Sequence, residues 1–350
     1  MTRARRVRKA VITAAGRGTR QYPASSAVQK EMFPLVDTDG LTKPVLQIIG
    51  EEALAAGIEE ICIVTQPGDD AHYRRYFRGL GATPPECFKD KDWAVQASAT
   101  LEAFGNRLSY VAQAAPEGYG HAVYQARDFV GDEPFLLLLG DHIYVSERPA
   151  NCATQLIETF DEAEGAGITA MTAMQVTPGA LVHQFGTLRA SAIDRGRGLF
   201  RIEAIEEKPS EERAAAVLRS PDLEAGFYFC HFGMHVFSPA IFDAIGHLIR
   251  HDIRTKGEIQ LTAAQELMRK TLPADTYGAC TVDGQRFDTG IPYGLMESQL
   301  ALALAGRHRA EIVAAIARML PQGLQRELTL PFLPARERRE AGSRTARGGQ

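Results

Sequence analysis

Lys9-Ala10-Val11-Ile12-Thr13-Ala14-Ala15-Gly16-Arg17-Gly18-Thr19-Arg20-Gln21-Tyr22-Pro23 is the stretch whose reading decides the fold. Its apolar run, Lys9 to Ala15, passes directly into a glycine turn. A buried strand delivers its chain to the ligand-binding edge of an α/β sheet in this way. Gly16 and Gly18 let the backbone approach a phosphate chain, and the exposed N–H groups of Ala15 to Thr19 can cradle its oxygens. Two common phosphate loops are disfavoured. The dinucleotide fingerprint needs a third glycine where Gln21 stands, and the GK[ST] of a P-loop is missing. Ten residues after Arg20 comes Lys30, in Lys30-Glu31-Met32-Phe33-Pro34-Leu35. A fork-shaped guanidinium and a point-charge ammonium folded over one glycine loop would neutralise a triphosphate.

Working outward, Thr42 is expected to cap a helix with Pro44 in its first turn, apolar Val45, Ile48, Ile49 and Leu54 facing inward and Gly57 as the stop. Ile61 to Thr65 then reads as a second buried strand, which completes a β-α-β unit and implies a mostly parallel sheet. Leu108 to Gln113 predicts a strand and Tyr119 to Phe129 a helix. Phe135 to Leu139 is a continuous apolar run, suited to a strand covered on both faces. It ends at Gly140-Asp141, so Asp141 stands at a carboxyl edge of the sheet, where ligands bind. In the second half, Ile168 to Val176, Thr187 to Arg189, Leu199 to Ile205 and Phe227 to Phe237 read as strands, some of them antiparallel. Helices are expected at Pro239 to Arg250 and Ile259 to Lys270, and two more between Pro292 and Leu320. Residues 66 to 107 carry glycines, prolines and charges that interrupt any period.

Composition excludes several classes. The 350 residues are 45% hydrophobic and 23% charged, an ordinary globular balance that can build a large core. A net charge of -4 gives no overall attraction to nucleic acid. The five cysteines are odd in number and form no CxxC pair, which argues against a disulfide framework or thiolate zinc site and fits a reducing cytoplasm. The apolar run after the basic N-terminus is too short for a secretory signal, and no uncharged stretch reaches membrane-spanning length. The expected division is a basic tail over 1–8, a catalytic domain over 9–291, C-terminal helices over 292–333 and a disordered tail over 334–350, where Arg, Glu and Gly dominate.

The pattern Gly16-x-Gly18-Thr19-Arg20-x-x-Pro23, followed by Lys30-Glu31-Met32-x-Pro34-Leu35, resembles the signature of bacterial UTP–glucose-1-phosphate uridylyltransferases. Further matches run in patches from about Lys9 to Leu304. The resemblance implies a doubly wound, mostly parallel, Rossmann-like mixed α/β sheet with a smaller antiparallel sugar-binding part and C-terminal helices. It also implies Mg2+, with UTP and a sugar 1-phosphate, glucose 1-phosphate foremost, as substrates. A homo-oligomer that binds neither nucleic acid nor membrane is the corresponding expectation.

By the same resemblance, Gln113 and Gly118, in Gln113-Ala114-Ala115-Pro116-Glu117-Gly118, read uracil together with the backbone near Ala15. A Gln amide offers the donor and acceptor that this base edge requires. His121 nearby is read as packing or capping. Asp141 resembles the family's first metal-binding aspartate and Asp288, in Phe287-Asp288-Thr289-Gly290, its second; two carboxylates suit a hard octahedral ion. Glu206-Glu207-Lys208-Pro209 resembles the Glu-Lys-Pro motif, in which Lys208 would meet the sugar phosphate and Glu207 the sugar hydroxyls, with Gly186 close by. Arg20, Lys30 and Lys208 are thus the candidate catalytic cations, and Ala15, Gly16, Gly18 and Thr19, with Gln113 and Gly118, the nucleotide-binding residues. Gly257 to Thr262 also matches and is read as a helix entry. Gly140 before Asp141 departs from the uridylyltransferase pattern towards that of thymidylyltransferases, which leaves dTTP as the alternative nucleotide. A non-catalytic sugar-nucleotide binder is a further alternative.

Overall fold

The computed structural model describes residues 7–81, 85–88, 90–273 and 276–321. The first six residues of the expected basic tail, and the whole of the expected disordered tail, lie outside the described residues. Two units are distinguished. One runs up to Leu35 and from Lys43 to Ser298; the other takes Val36–Thr42 and the chain from Gln299. In the second unit Val36 N–H donates to Gln299 Oε1 (2.8 Å) and Arg307 N–H to the Thr38 carbonyl (3.0 Å), and helix Arg309–Met319 follows.

The strands in chain order are β1 (Lys9–Ala14), β2 (Pro34–Val36), β3 (Thr42–Pro44), β4 (Glu60–Thr65), β5 (Leu108–Ala112), β6 (Phe135–Leu139) and β7 (His142–Ser146). After these come β8 (Ala170–Pro178), β9 (Gly186–Asp194), β10 (Leu199–Glu207), β11 (Phe227–Phe237), β12 (Tyr277–Thr281) and β13 (Gly284–Asp288). Nine of them form one sheet in the order β5-β4-β1-β6-β11-β8-β12-β10-β9. From β5 to β6 every neighbour is parallel. Beyond β6 the pairs are antiparallel, except β12 beside β8. This is the doubly wound mixed sheet with an antiparallel part that the sequence leads one to expect. Two strands without a sequence signature, β7 and β13, pair antiparallel with each other and bring His142 opposite Asp288.

The core follows from the apolar runs. Phe135 to Leu138 have no exposed surface, as suits a strand in the middle of the sheet. Helices Tyr119–Tyr124, Ala240–Arg250 and Leu261–Thr271 bury Val123, Ile245, Phe242 and Met268 in one cluster with Val11, Phe135 and Leu137. Helices Val45–Ala55 and Cys152–Glu162 pack against each other and against β7 and β11. Cys62, Cys152, Cys230 and Cys280 are buried as free thiols; Cys87 is exposed.

Local readings need three corrections. Thr42 does not cap the first long helix: Thr42–Pro44 is extended, the helix starts at Val45, and the Phe33 carbonyl takes the Val45 N–H (3.0 Å). The helix expected over Tyr119 to Phe129 is two helices, Tyr119–Tyr124 and Arg127–Val130. The chain tightens between them, as Gln125 and Ala126 bond only three residues back. The unreadable stretch 66–107 contains helices Asp70–Phe77 and Asp92–Gly105. Each buries only two side chains, Tyr73 with Phe77 and Ala94 with Phe104, too few to print a helical period.

Candidate active site

Strand β1 is flanked by β4 on one side and β6 on the other, so the winding reverses at its carboxyl end and leaves a crevice there. A cleft of about 970 Å³ opens at this point, within the first unit. Lining it are Ala15, Gly16, Arg17, Arg20, Lys30, Gln113 and Gly118 on one side, Asp141 and Asp288 at its centre, and Gly186, Glu207 and Lys208 beyond. Gly18 and Thr19, also expected at the site, hold the loop's shape. Gly18 takes a left-handed turn (φ 60°), and Thr19 begins the short helical turn that carries Arg20.

Lys30 lies beneath this loop. A Cβ at Gly16 would stand 3.4 Å from Lys30 Cε and Nζ, and one at Gly18 3.5 Å from Lys30 Cδ. The Lys30 ammonium donates to Asp141 Oδ2 and lies 3.5 Å from Glu31 Oε1. One half-buried cation therefore serves two carboxylates, the half-buried Asp141 and the buried Glu31. Burial opposes the charge on Asp141, but Lys30, His142 and Arg20 outweigh it and hold the carboxyl below its usual range. Burial likewise opposes the charge on Lys30, and Asp141, Glu31 and Asp288 raise its pKa nonetheless. Glu31 loses the competition: burial, with Asp141 adding to it, pushes its carboxyl up to about 8.

Asp141, in the turn between β6 and β7, and Asp288, the last residue of β13, are far apart in the chain and tied together by backbone. Thr289 N–H and Oγ1 both donate to the Asp141 carbonyl (2.8 and 2.9 Å), and Gly290 N–H donates to Asp288 Oδ1 (2.8 Å). Ligand atoms of Asp141, His142 and Asp288 fall within 4.8 Å of one another. A Cβ at Gly290 would sit 2.8 Å from Asp141 Oδ2 and 3.0 Å from Asp288 Oδ1, so only glycine leaves the space between the carboxylates open. The two carboxylates suit a hard oxygen-seeking cation; the imidazole does not. Burial brings His142 down to about 4, and its Nδ1 is sealed from solvent without a partner.

Gly140 has a steric reason. Its N–H donates to the Thr13 carbonyl (3.0 Å), and a Cβ there would lie 2.4 Å from that oxygen. The missing side chain lets β6 close on β1 just before Asp141.

On the side of the glycine loop, Gln113 Nε2 is near the Gly118 carbonyl and His121 Nδ1 (both 3.1 Å), while Gln125 holds the other ring nitrogen (3.2 Å). His121 thus orients the amide, as a packing residue does. Gly118 has φ 117°, and a Cβ would stand 2.8 Å from Glu258 Cβ and the Ile259 carbonyl oxygen. The stretch read as a helix entry, 257–262, therefore also forms cleft wall. On the far side, Gly186 and Glu207 face each other across β9 and β10. Thr262 Oγ1 donates to Glu207 Oε2, and Lys208 Nζ is 3.7 Å from Glu207 Oε1. Lys208 has φ 47°, a strained value for a non-glycine residue of the kind that collects at functional sites.

Arg286 has no sequence signature of its own, yet the two-residue strand period puts it on the face of β13 that carries Asp288. Its guanidinium lies 4.1 Å from the Phe185 ring centroid.

Residues 9–302 match the nucleotidyl transferase family, and the chain belongs to that family. Its relatives include a UTP–glucose-1-phosphate uridylyltransferase of Staphylococcus saprophyticus, 34% identical over 86% of this chain and 93% of the relative. The uridylyltransferase of Bacillus subtilis is 33% identical over 86% and 92%. Among solved structures, a UDP-glucose pyrophosphorylase complexed with UDP-glucose aligns with a TM-score of 0.65 at 26% identity, covering 84% of this chain and 98% of that one. The UDP-glucose pyrophosphorylase of Acinetobacter baumannii aligns with a TM-score of 0.71 at 26% identity, covering 90% and 100%. Among the described residues no helix is long and apolar enough to cross a membrane.

Proposed function

We propose that this chain transfers the uridylyl group of UTP to glucose 1-phosphate, releasing pyrophosphate and UDP-glucose. The observation that carries the reading is the pair of carboxylates, Asp141 and Asp288, held within ion-sharing distance around the side-chain-free Gly290 at the end of a phosphate-type loop. The uridylyltransferase relatives, similar over nearly their whole length, favour UTP over dTTP. Gly140, which hinted at dTTP, is accounted for by its contact with Thr13.

Two polyanions must meet, and the nucleophile is already ionised, so the problem is positioning and charge neutralisation rather than proton removal. Mg2+, when bound at Asp141 and Asp288, supplies the positive charge that draws the two phosphates together. Arg20 and the N–H groups of residues 15–19 hold the triphosphate. Lys30, directly beneath the loop, balances Asp141 and faces the charge that develops on the leaving pyrophosphate. Gln113 and Gly118 take the base. Lys208 orients the sugar phosphate for in-line attack on the α-phosphorus, and Glu207 with Gly186 receives the sugar. The test is parallel turnover of UTP and dTTP with glucose 1-phosphate and Mg2+, read by the mass of the product. UDP-glucose formed with a kcat/KM at least about tenfold above that for dTTP is expected; equal or better use of dTTP refutes the nucleotide assignment.

A further inference from the structure

The sugar side of the cleft holds polar groups that the reading above does not use. His231 sits on β11 at the register break between His231 and His235, where Gly233 takes φ 89°. Both imidazoles line the cleft. A Cβ at Gly186 would lie 3.1 Å from His231 Nδ1 and 3.3 Å from Glu207 Oε2, so the imidazole, the glycine and the carboxylate surround one spot. Neither ring nitrogen of His231 has a hydrogen-bond partner among the described residues, and Nε2 is sealed from solvent. Its neighbour His235 differs: Nδ1 lies 2.9 Å from Thr172 Oγ1. An aliphatic side chain would fill the His231 position without stranding a polar atom, and a stranded buried polar group costs about 1–3 kcal/mol. Nδ1 of His231 is the ring nitrogen that stands at the Gly186–Glu207 spot, and an unpaired group at such a place in a binding cleft is matched by what binds there. Arg286 lines the same wall, with its Nε equally sealed and unpartnered.

We propose that His231 is a specificity-determining residue, whose imidazole hydrogen-bonds a sugar hydroxyl that Glu207 does not hold. Burial, reinforced by the Arg286 guanidinium, brings the imidazole down to about 3. It is therefore neutral at working pH, and its Nδ1 meets a hydroxyl as donor or acceptor according to the tautomer. The inference rests on the uridylyltransferase reading and deepens it, since it concerns how the sugar is told apart from its isomers.

The test uses the full chain and the variants His231→Val and His231→Gln, with glucose 1-phosphate and its 2-, 3-, 4- and 6-deoxy analogues. His231→Val should raise KM for glucose 1-phosphate about tenfold and leave KM for UTP within about twofold. One deoxy analogue should be about tenfold poorer than glucose 1-phosphate for the native chain but equally good for His231→Val. His231→Gln, which keeps a donor and an acceptor, should recover part of the loss; it carries the test alone if the valine variant does not fold. Unchanged sugar KM, or a uniform loss across all analogues and UTP, reduces His231 to packing and overturns the proposal. A native chain that makes no nucleotide sugar from UTP with any of these phosphates overturns the underlying reading and this inference with it.

Discussion

Replacing Glu31 by Gln should flatten the dependence of stability on pH. Glu31 is only 2% exposed, and Lys30, 3.5 Å from its Oε1, is shared with Asp141. Burial, assisted by Asp141, pushes its carboxyl from 4.5 up to about 8. In the folded chain it therefore keeps its proton across a range where the unfolded chain has lost it. Between those two values the folded state binds more protons than the unfolded state, so stability falls as pH rises. The contribution is complete below 4.5, declines through the interval and is gone above about 8. At 1.36 kcal/mol for each pH unit, the loss between about pH 6 and pH 9 is roughly 3 kcal/mol. At roughly 2 °C per kcal/mol for a chain of this size, that is a relative Tm change of about 6 °C. Native chain and Glu31→Gln should be compared by scanning calorimetry across that range, with chelator present so that no divalent ion binds at Asp141. The variant should gain on the native chain by this amount towards alkaline pH. Parallel Tm profiles would show that Glu31 does not hold a proton in the folded state.

Other substitutions probe the centre of the cleft. Gly290→Ala places a methyl 2.8 Å from Asp141 Oδ2 and 3.0 Å from Asp288 Oδ1; titrating activity with Mg2+ should show the ion requirement rising tenfold or so, with the far-UV spectrum unchanged. Lys30→Met removes the partner of a buried carboxylate: turnover should fall on the order of 10²-fold and urea unfolding should register roughly 3 kcal/mol of destabilisation, much of it restored by adding Asp141→Asn. Gly118→Ala asks for φ 117° from a residue with a Cβ that would stand 2.8 Å from segment 258–259, so KM for UTP should rise and Tm fall together; a change in neither removes the close-approach argument.

The sheet was legible where one strand writes its own pattern. Ala10 to Ala15, broken only by Thr13, and the continuous run Phe135 to Leu139 are apolar because those strands are buried within the sheet, and their carboxyl ends carry the glycine loop and Asp141. Illegible parts depend on distant partners. Strand β13, Gly-Gln-Arg-Phe-Asp, is half-exposed throughout and exists by pairing with β7, more than a hundred residues earlier. The helix at Val45 takes its cap from the Phe33 carbonyl instead of a preceding side chain, so Thr42 was a reasonable but false signal. In the site, motif residues were readable because glycine, lysine and aspartate stand in short fixed spacings. His231 and Arg286 become visible only when β11 bends and β13 pairs, although the two-residue period from Asp288 pointed to Arg286.

The distribution of the thiols gives the chain its own unfolding reporter. Cys87 is exposed and the other four are buried in separate strands and a helix. A colorimetric thiol reagent should count one sulfhydryl in the native chain, and the rate at which the rest become reactive measures how often the layers around the sheet part. The same asymmetry makes Cys87 a single attachment point for a dye, without prior mutation of the core.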